Sequence, residues 1–239
     1  MEKEEVILQG HSDLEKGAYL GAIASIATAD REASEEEIAH IEQLCDAAQL
    51  SAQQKQYVVR AATELTGEDL RNCLDVLKNS ELRYSLVTDL IAFAKSDGEY
   101  SKEEEDKVHE IAKYLGLAEK QFSLLDQFTE RATAAEAPPE EKAQPSFLSS
   151  LGLNDKMQNA GINTSSLFKG LLGIAGPMIL AGMLSGGLRR NQFGGGMGGS
   201  MFGGGMFGGG IGSVIGMLSG GRRFGNAGGL LGRVLGGRF

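Results

Sequence analysis

The chain has 239 residues, enough for one or two domains, and carries 23 Lys and Arg against 32 Asp and Glu, a net charge of -9. Two cysteines and three histidines imply neither a disulfide framework nor a metal-ligand cysteine pair. The average hides a division: up to Ser146 there are 15 basic and 31 acidic residues, whereas from Phe147 onward there are eight basic residues, the single acid Asp155, and 29 of the 35 glycines.

The opening MEKEEVILQG is acidic and lacks an apolar h-region, so no secretory signal is expected. Apolar residues then recur at three- and four-residue spacing, through Leu20, Ile23, Ile26 and Ala27, and again through Ile38, Ile41, Leu44, Cys45 and Ala48. The stretch YVVRAATELTGEDLRNCLDVLKNS predicts two further helices broken at Gly67. The pattern resumes at Leu82, Leu86, Leu90, Phe93 and Ala94, then at Val108, Ile111, Ala112 and Leu115, and closes after Gly116 through Phe122, Leu125 and Phe128. No window alternates at period two. Residues 13–134 are therefore expected to form about seven helices in one all-α domain, within an acidic region spanning residues 1–134. Cys45 and Cys73 fall inside apolar helical patterns and are expected to be buried and reduced.

The domain repeats itself. At an offset of sixty-seven residues and without a gap, Asp30 falls on Asp97, Glu32 on Glu99, Ser34 on Ser101, Glu36 on Glu103 and Glu37 on Glu104, while Ile23, Ile41, Leu44 and Leu50 fall on Leu90, Val108, Ile111 and Leu117. The economical reading is a duplicated helix-corner-helix unit. Ser34 to Glu37 and Ser101 to Glu104 each fit the S-x-x-E capping box, which would explain the glutamates as helix starts. Asp30 and Asp97 stand at the end of the preceding helix, where negative charge meets the negative dipole end, and capping explains them less well. Gly98 suits a left-handed terminus that turns Asp97 back towards Glu104, and a pseudo-twofold arrangement would bring four carboxylates together. Ca²⁺, Mg²⁺ and Zn²⁺ accept such oxygen ligands. The corner is not an EF-hand, because position twelve is Ile41 or Val108. Capping and cation binding thus stand as competing readings.

The aspartate, the glycine after it in the second copy, the polar corner and the glutamate seven positions on, written twice in a helical domain of this size, resemble the TerB-like family, named from bacterial tellurite-resistance operons. The resemblance covers roughly residues 13–134. It implies an all-helical bundle of two pseudo-symmetric halves and an acidic corner associated with divalent cations. The matching positions are Asp30, Glu37, Asp97 and Glu104, with Glu36 and Glu103 as outer carboxylates. The first copy departs from the pattern in having Arg31 where glycine is usual.

Residues 135–146 contain Pro138, Pro139 and Pro145 among charged residues and read as a semi-extended linker. A glycine-rich basic tail follows over residues 147–239. Residues 170–188 form an uncharged run between Lys169 and the pair Arg189 and Arg190. Leu171, Ile174, Gly176, Ile179, Gly182 and Leu184 are its candidate membrane or self-association residues. The sequence GMLSGG recurs at Gly216, ahead of Arg222 and Arg223, and Gly212, Gly216 and Gly220 make a small-xxx-small row. Basic pairs beside apolar runs suit an anionic membrane surface, and Phe193, Phe202 and Phe207 in the intervening glycine-rich stretch admit self-association without lipid. The tail's arginines and phenylalanines also admit RNA binding, but the acidic domain would repel a polyanion.

Enzymatic readings have little support. His40 and His109 are out of register between the repeats, no Walker sequence occurs, and the glycine runs follow no strand. The sequence-based expectation is a non-enzymatic TerB-like module, cytoplasmic at the inner face of a membrane, with a divalent cation and lipid or further copies of itself as partners. It would serve envelope or metal and oxyanion stress. The alternative is a scaffold protein whose tail assembles without lipid.

Overall fold

A computed structural model of the chain describes residues 7–27, 35–63, 67–95, 102–135, 137, 139–142 and 144–172. Seven helices occupy the segment expected to hold about seven: α1 (Asp13–Ala27), α2 (Glu35–Ala47), α3 (Ala52–Thr63), α4 (Gly67–Leu77), α5 (Leu82–Ala94), α6 (Lys102–Tyr114) and α7 (Glu119–Ala134). Four short ones follow: α8 (Pro139–Lys142), α9 (Pro145–Ser150), α10 (Asn154–Asn159) and α11 (Thr164–Gly170). Among the described residues no strand occurs, and the fold is the all-α bundle the periodicity predicts.

The sequence repeat is a structural repeat. Shifting by sixty-seven residues lays α2 on α6 at both ends, puts the first residue of α3 on that of α7, and puts the last residue of α1 on that of α5. The turns agree as well. Gln49 and Gly116 both have positive φ, at 54° and 77°. The next amide, Leu50 or Leu117, donates back to Cys45 O or Ala112 O, in each case at 3.0 Å. This six-to-one bond is the Schellman closure of a helix end.

α1 and α5 lie at the centre because their sequences are apolar around the whole circumference. Every residue from Gly17 to Ile26, and every residue from Tyr84 to Ile91, is buried. Each fully buried Leu or Ile contributes about 2 kcal/mol of transfer free energy. α1 packs against α2, α3 and α4, while α5 packs against α6, α7 and α11. Close approach on α1 requires glycine: a Cβ on Gly21 would stand 3.0 Å from Cys73 Sγ. Cys45 and Cys73 are buried free thiols, as the sequence suggests.

Ser12 and Glu15 start α1 with a capping box: Glu15 N donates to Ser12 Oγ at 3.3 Å, and Ser12 N donates to Glu15 Oε2 at 2.9 Å. The other Glu15 oxygen accepts from Ser80 Oγ and so ties α1 to the α4–α5 corner. Asp13 accepts from Ser51 N at 3.0 Å and Ser51 Oγ at 2.6 Å, which fixes the start of α3 against the start of α1.

The packed body runs beyond the boundary that composition suggests. Phe147, Leu148, Leu153, Met157, Ile162, Leu167, Phe168, Leu171 and Leu172 belong to the same buried core as the seven helices. The segment assigned to a linker also contributes: Pro139 opens a helical turn, and Lys142 Nζ donates to Ala132 O at 2.8 Å. Composition separates the halves by charge and glycine content, whereas burial follows the spacing of apolar side chains, which continues to Leu172.

Candidate functional site

Each repeat leads from a central helix into an acidic corner. α1 ends at Ala27 and α2 begins at Glu35, the residue after Ser34; α5 ends at Ala94 and α6 begins at Lys102, the residue after Ser101. Asp30 and Asp97 lie outside the described residues. Glu36, Glu37, Glu103 and Glu104 occupy the first turns of α2 and α6, and their side chains lie outside the described set. What the fold supplies is the frame: two equivalent helix starts behind two central helices that touch one another.

Two cationic groups border the second corner. Lys95, at the end of α5, reaches Asp126 Oδ1 on α7 at 2.6 Å. A lysine at a helix C-terminus suits the dipole, and this partly exposed pair adds at most about 1 kcal/mol. Lys107 is 9 % exposed and stands on α6 four residues after Glu103 and three after Glu104. That spacing puts it on the helical face of those glutamates. Sequence reasoning passed over Lys107; its signal is a lysine beside Val108, directly after the Glu103 to Asp106 run.

The contact that joins the two halves was also missed. Asp89 and Tyr19 are fully buried on α5 and α1, and the Tyr19 hydroxyl donates to Asp89 Oδ2. The amide of Leu172 donates to the same oxygen at 3.2 Å. Burial and the adjacent carboxylate push the Tyr19 phenol well above its ordinary range, so it serves as a donor. A charged residue inside the apolar run from Leu86 to Ile91 is the only sequence cue to this contact.

Among the described residues, no group of three or more His, Cys, Asp or Glu side chains could hold a metal ion. A cavity of about 210 Å³ between α6 and α7 is lined by His109, Lys113, Leu117, Glu119 and Phe122, with His109 Nε2 2.8 Å from Glu119 Oε2 and edge-on to Phe122. His109 thus has a packing and hydrogen-bonding role; the His40 side chain lies outside the described residues. Burial pushes the Cys45 thiol up to about 12 and the Cys73 thiol up to about 11, so neither is a nucleophile at neutral pH.

Of the tail residues singled out by sequence, Leu171 is described and lies 1 % exposed in the core. Ile174, Gly176, Ile179, Gly182, Leu184, Gly212, Gly216, Gly220, Arg189, Arg190, Arg222 and Arg223 lie outside the described residues. Among the described residues no helix is long and apolar enough to cross a membrane.

No curated protein and no solved structure matches the chain. The family model of tellurite resistance protein TerB matches residues 16–127, from the first turn of α1 into α7. That interval holds both copies of the structural repeat and both corners, and it shows that residues 16–127 of this chain form a TerB-family domain.

Proposed function

We propose that this TerB domain is a non-enzymatic module that takes a divalent cation at its duplicated acidic corner and is held at a membrane surface by its glycine-rich tail, in a metal or oxyanion stress response. The observation that carries the first half is the register. Asp30 and Glu37 recur as Asp97 and Glu104, and α2 and α6 begin at equivalent positions behind two packed central helices. Ca²⁺, Mg²⁺ or Zn²⁺ would be held by these carboxylates, with Glu36 and Glu103 outside them. Lys107 would offset part of the charge when the cation is absent. Isothermal calorimetry with each of the three ions tests this reading. Asp30→Asn with Asp97→Asn should abolish binding, and an unchanged affinity would return these residues to capping and surface roles.

The membrane reading takes a particular form. With Gly170, Leu171 and Leu172 buried in the body, the uncharged run left before Arg189 is residues 173–188, or 16 residues. At 1.5 Å per residue a helix of that length reaches about 24 Å, short of the roughly 30 Å hydrocarbon core. An interfacial pair of apolar pieces anchored by Arg189, Arg190, Arg222 and Arg223 fits better than a span. The same shortfall favours the alternative, tail-driven assembly without lipid. Flotation with anionic vesicles separates the two when the full chain is compared with one ending at Leu172. Floating full chain and non-floating truncation support anchoring; full chain that pellets without lipid supports assembly.

A further inference from the structure

The second half of the bundle is completed by a segment from outside the matched domain. Around α1 stand α2, α3 and α4; around α5 stand α6, α7 and α11. A fourth helix at the repeat offset from α4 would fall on residues 134–144, where Pro138 and Pro139 interrupt the chain. Residues 145–172 instead pack along α5 and α7 as a strap.

The body recognises this strap mainly through its backbone. Arg131 donates to Leu151 O at 2.6 Å, Gln121 to Ala160 O at 2.9 Å and Ser85 to Leu167 O at 3.0 Å, while Asp89 accepts from Leu172 N at 3.2 Å. Apolar side chains then anchor it, among them Phe168, whose ring meets Phe128 edge-on with centroids 5.8 Å apart. The fit is closest at Gly170, where a Cβ would lie 2.2 Å from Ser85 Oγ and 2.7 Å from Leu82 Cδ2. The strap's helices have six, six and seven residues. Helices that short are marginal in water, so docking supplies their order.

We propose that the face made by α5 and α7 is a peptide-docking groove whose ligand is residues 145–172 of the same chain. Main-chain hydrogen bonds supply affinity, the Phe168 and Leu172 anchors supply register, and Gly170 is the point of closest approach. Asp89 is the positioning residue, because one carboxylate oxygen receives both the strap and Tyr19 of the first half. The strap is then a separable clip that fixes the root of the tail to the junction between the halves, whatever the acidic corners bind.

The test uses the full chain with a site-specific protease sequence in place of residues 137–143. After cleavage, native mass spectrometry and gel filtration ask whether the two pieces stay together one to one at micromolar concentration. They should, and a fluorescent synthetic peptide of residues 145–172 should displace the cut strap. Gly170→Leu should weaken retention by at least about tenfold. Should that variant fail to fold, Arg131→Ala, at the exposed edge, should weaken it about fivefold. Separation of the wild-type pieces, refusal of the peptide to exchange, or equal retention by Arg131→Ala and wild type would each overturn the proposal.

Discussion

Gln49 and Gly116 hold the same left-handed turn sixty-seven residues apart, one at the end of α2 and the other at the end of α6. The geometry was duplicated, but only the second copy has the residue type suited to it. A side chain at positive φ costs roughly 1 kcal/mol, against which glycine loses more chain entropy on folding. Gln49→Gly should therefore stabilise the protein by about 0.5 kcal/mol, and Gly116→Ala should destabilise it by about 1 kcal/mol. Paired thermal melts check both signs.

Asp89 is a fully buried carboxylate, and the Tyr19 hydroxyl is one of its donors. Tyr19→Phe keeps the ring but removes that donor, which should cost about 2 kcal/mol, within the range for depriving a buried acceptor of a partner. Asp89→Ala should cost more, because it also releases Leu172 and leaves a cavity. Denaturant unfolding of both single variants and the double variant should give a coupling of at least about 1 kcal/mol. Strict additivity would show that the two side chains do not stabilise each other.

Stability should fall in mild acid through His11. Burial is the largest influence on this ring and lowers its pKa below the ordinary 6.5; Lys169 and Lys16 lower it further, while Glu15 and Glu81 oppose them. The unfolded chain then binds the extra proton, so stability is complete above about pH 6.5 and declines as the pH drops through that value. His11→Gln should flatten the decline that begins at about pH 6.5. A further loss below the ordinary carboxylate range should persist in that variant. It belongs to Asp13, which the Ser51 hydroxyl and amide hold below its usual value, and to Glu15, where the effect of burial is outweighed by bonds from Ser12 and Ser80.

The two thiols should be silent in the folded protein. With Cys45 raised to about 12 and Cys73 to about 11 by burial, a disulfide reagent at pH 8 should titrate neither thiol until denaturant is added, and then both. Rapid labelling of Cys73 without denaturant would show that α4 opens from the Gly21 face of α1.

The helical domain was legible because it was written twice. A shared offset for Ile23 and Leu90, Ile41 and Val108, and Glu37 and Glu104 is strong evidence of a repeated unit, and α2 and α6 keep that offset at both ends. The strap was less legible, since glycine and positive charge place Phe147 to Leu172 with the tail. It nevertheless carries apolar residues at Phe147, Leu148, Leu153, Met157, Ile162, Leu167 and Phe168, and these are buried once a groove exists to receive them. Lys107 and Asp89 were the hardest to find, because a charge in a helix reads as solvated until its neighbours are known.

What the sequence determined by itself is local and periodic: seven helices between Asp13 and Ala134, their duplication, the doubled acidic corner, and two cysteines fit for a core. These follow from side-chain spacing along one segment, which a chain carries whether or not it has folded. The tertiary structure decided which distant segments meet. It joined Tyr19 to Asp89 across seventy residues and Asp89 to Leu172 across eighty-three. It also carried the core past the charge boundary to Leu172. The physical reason is that burial belongs to the assembled surface: a carboxylate enters the interior only where a phenol and an amide are both waiting, and no single segment specifies that meeting.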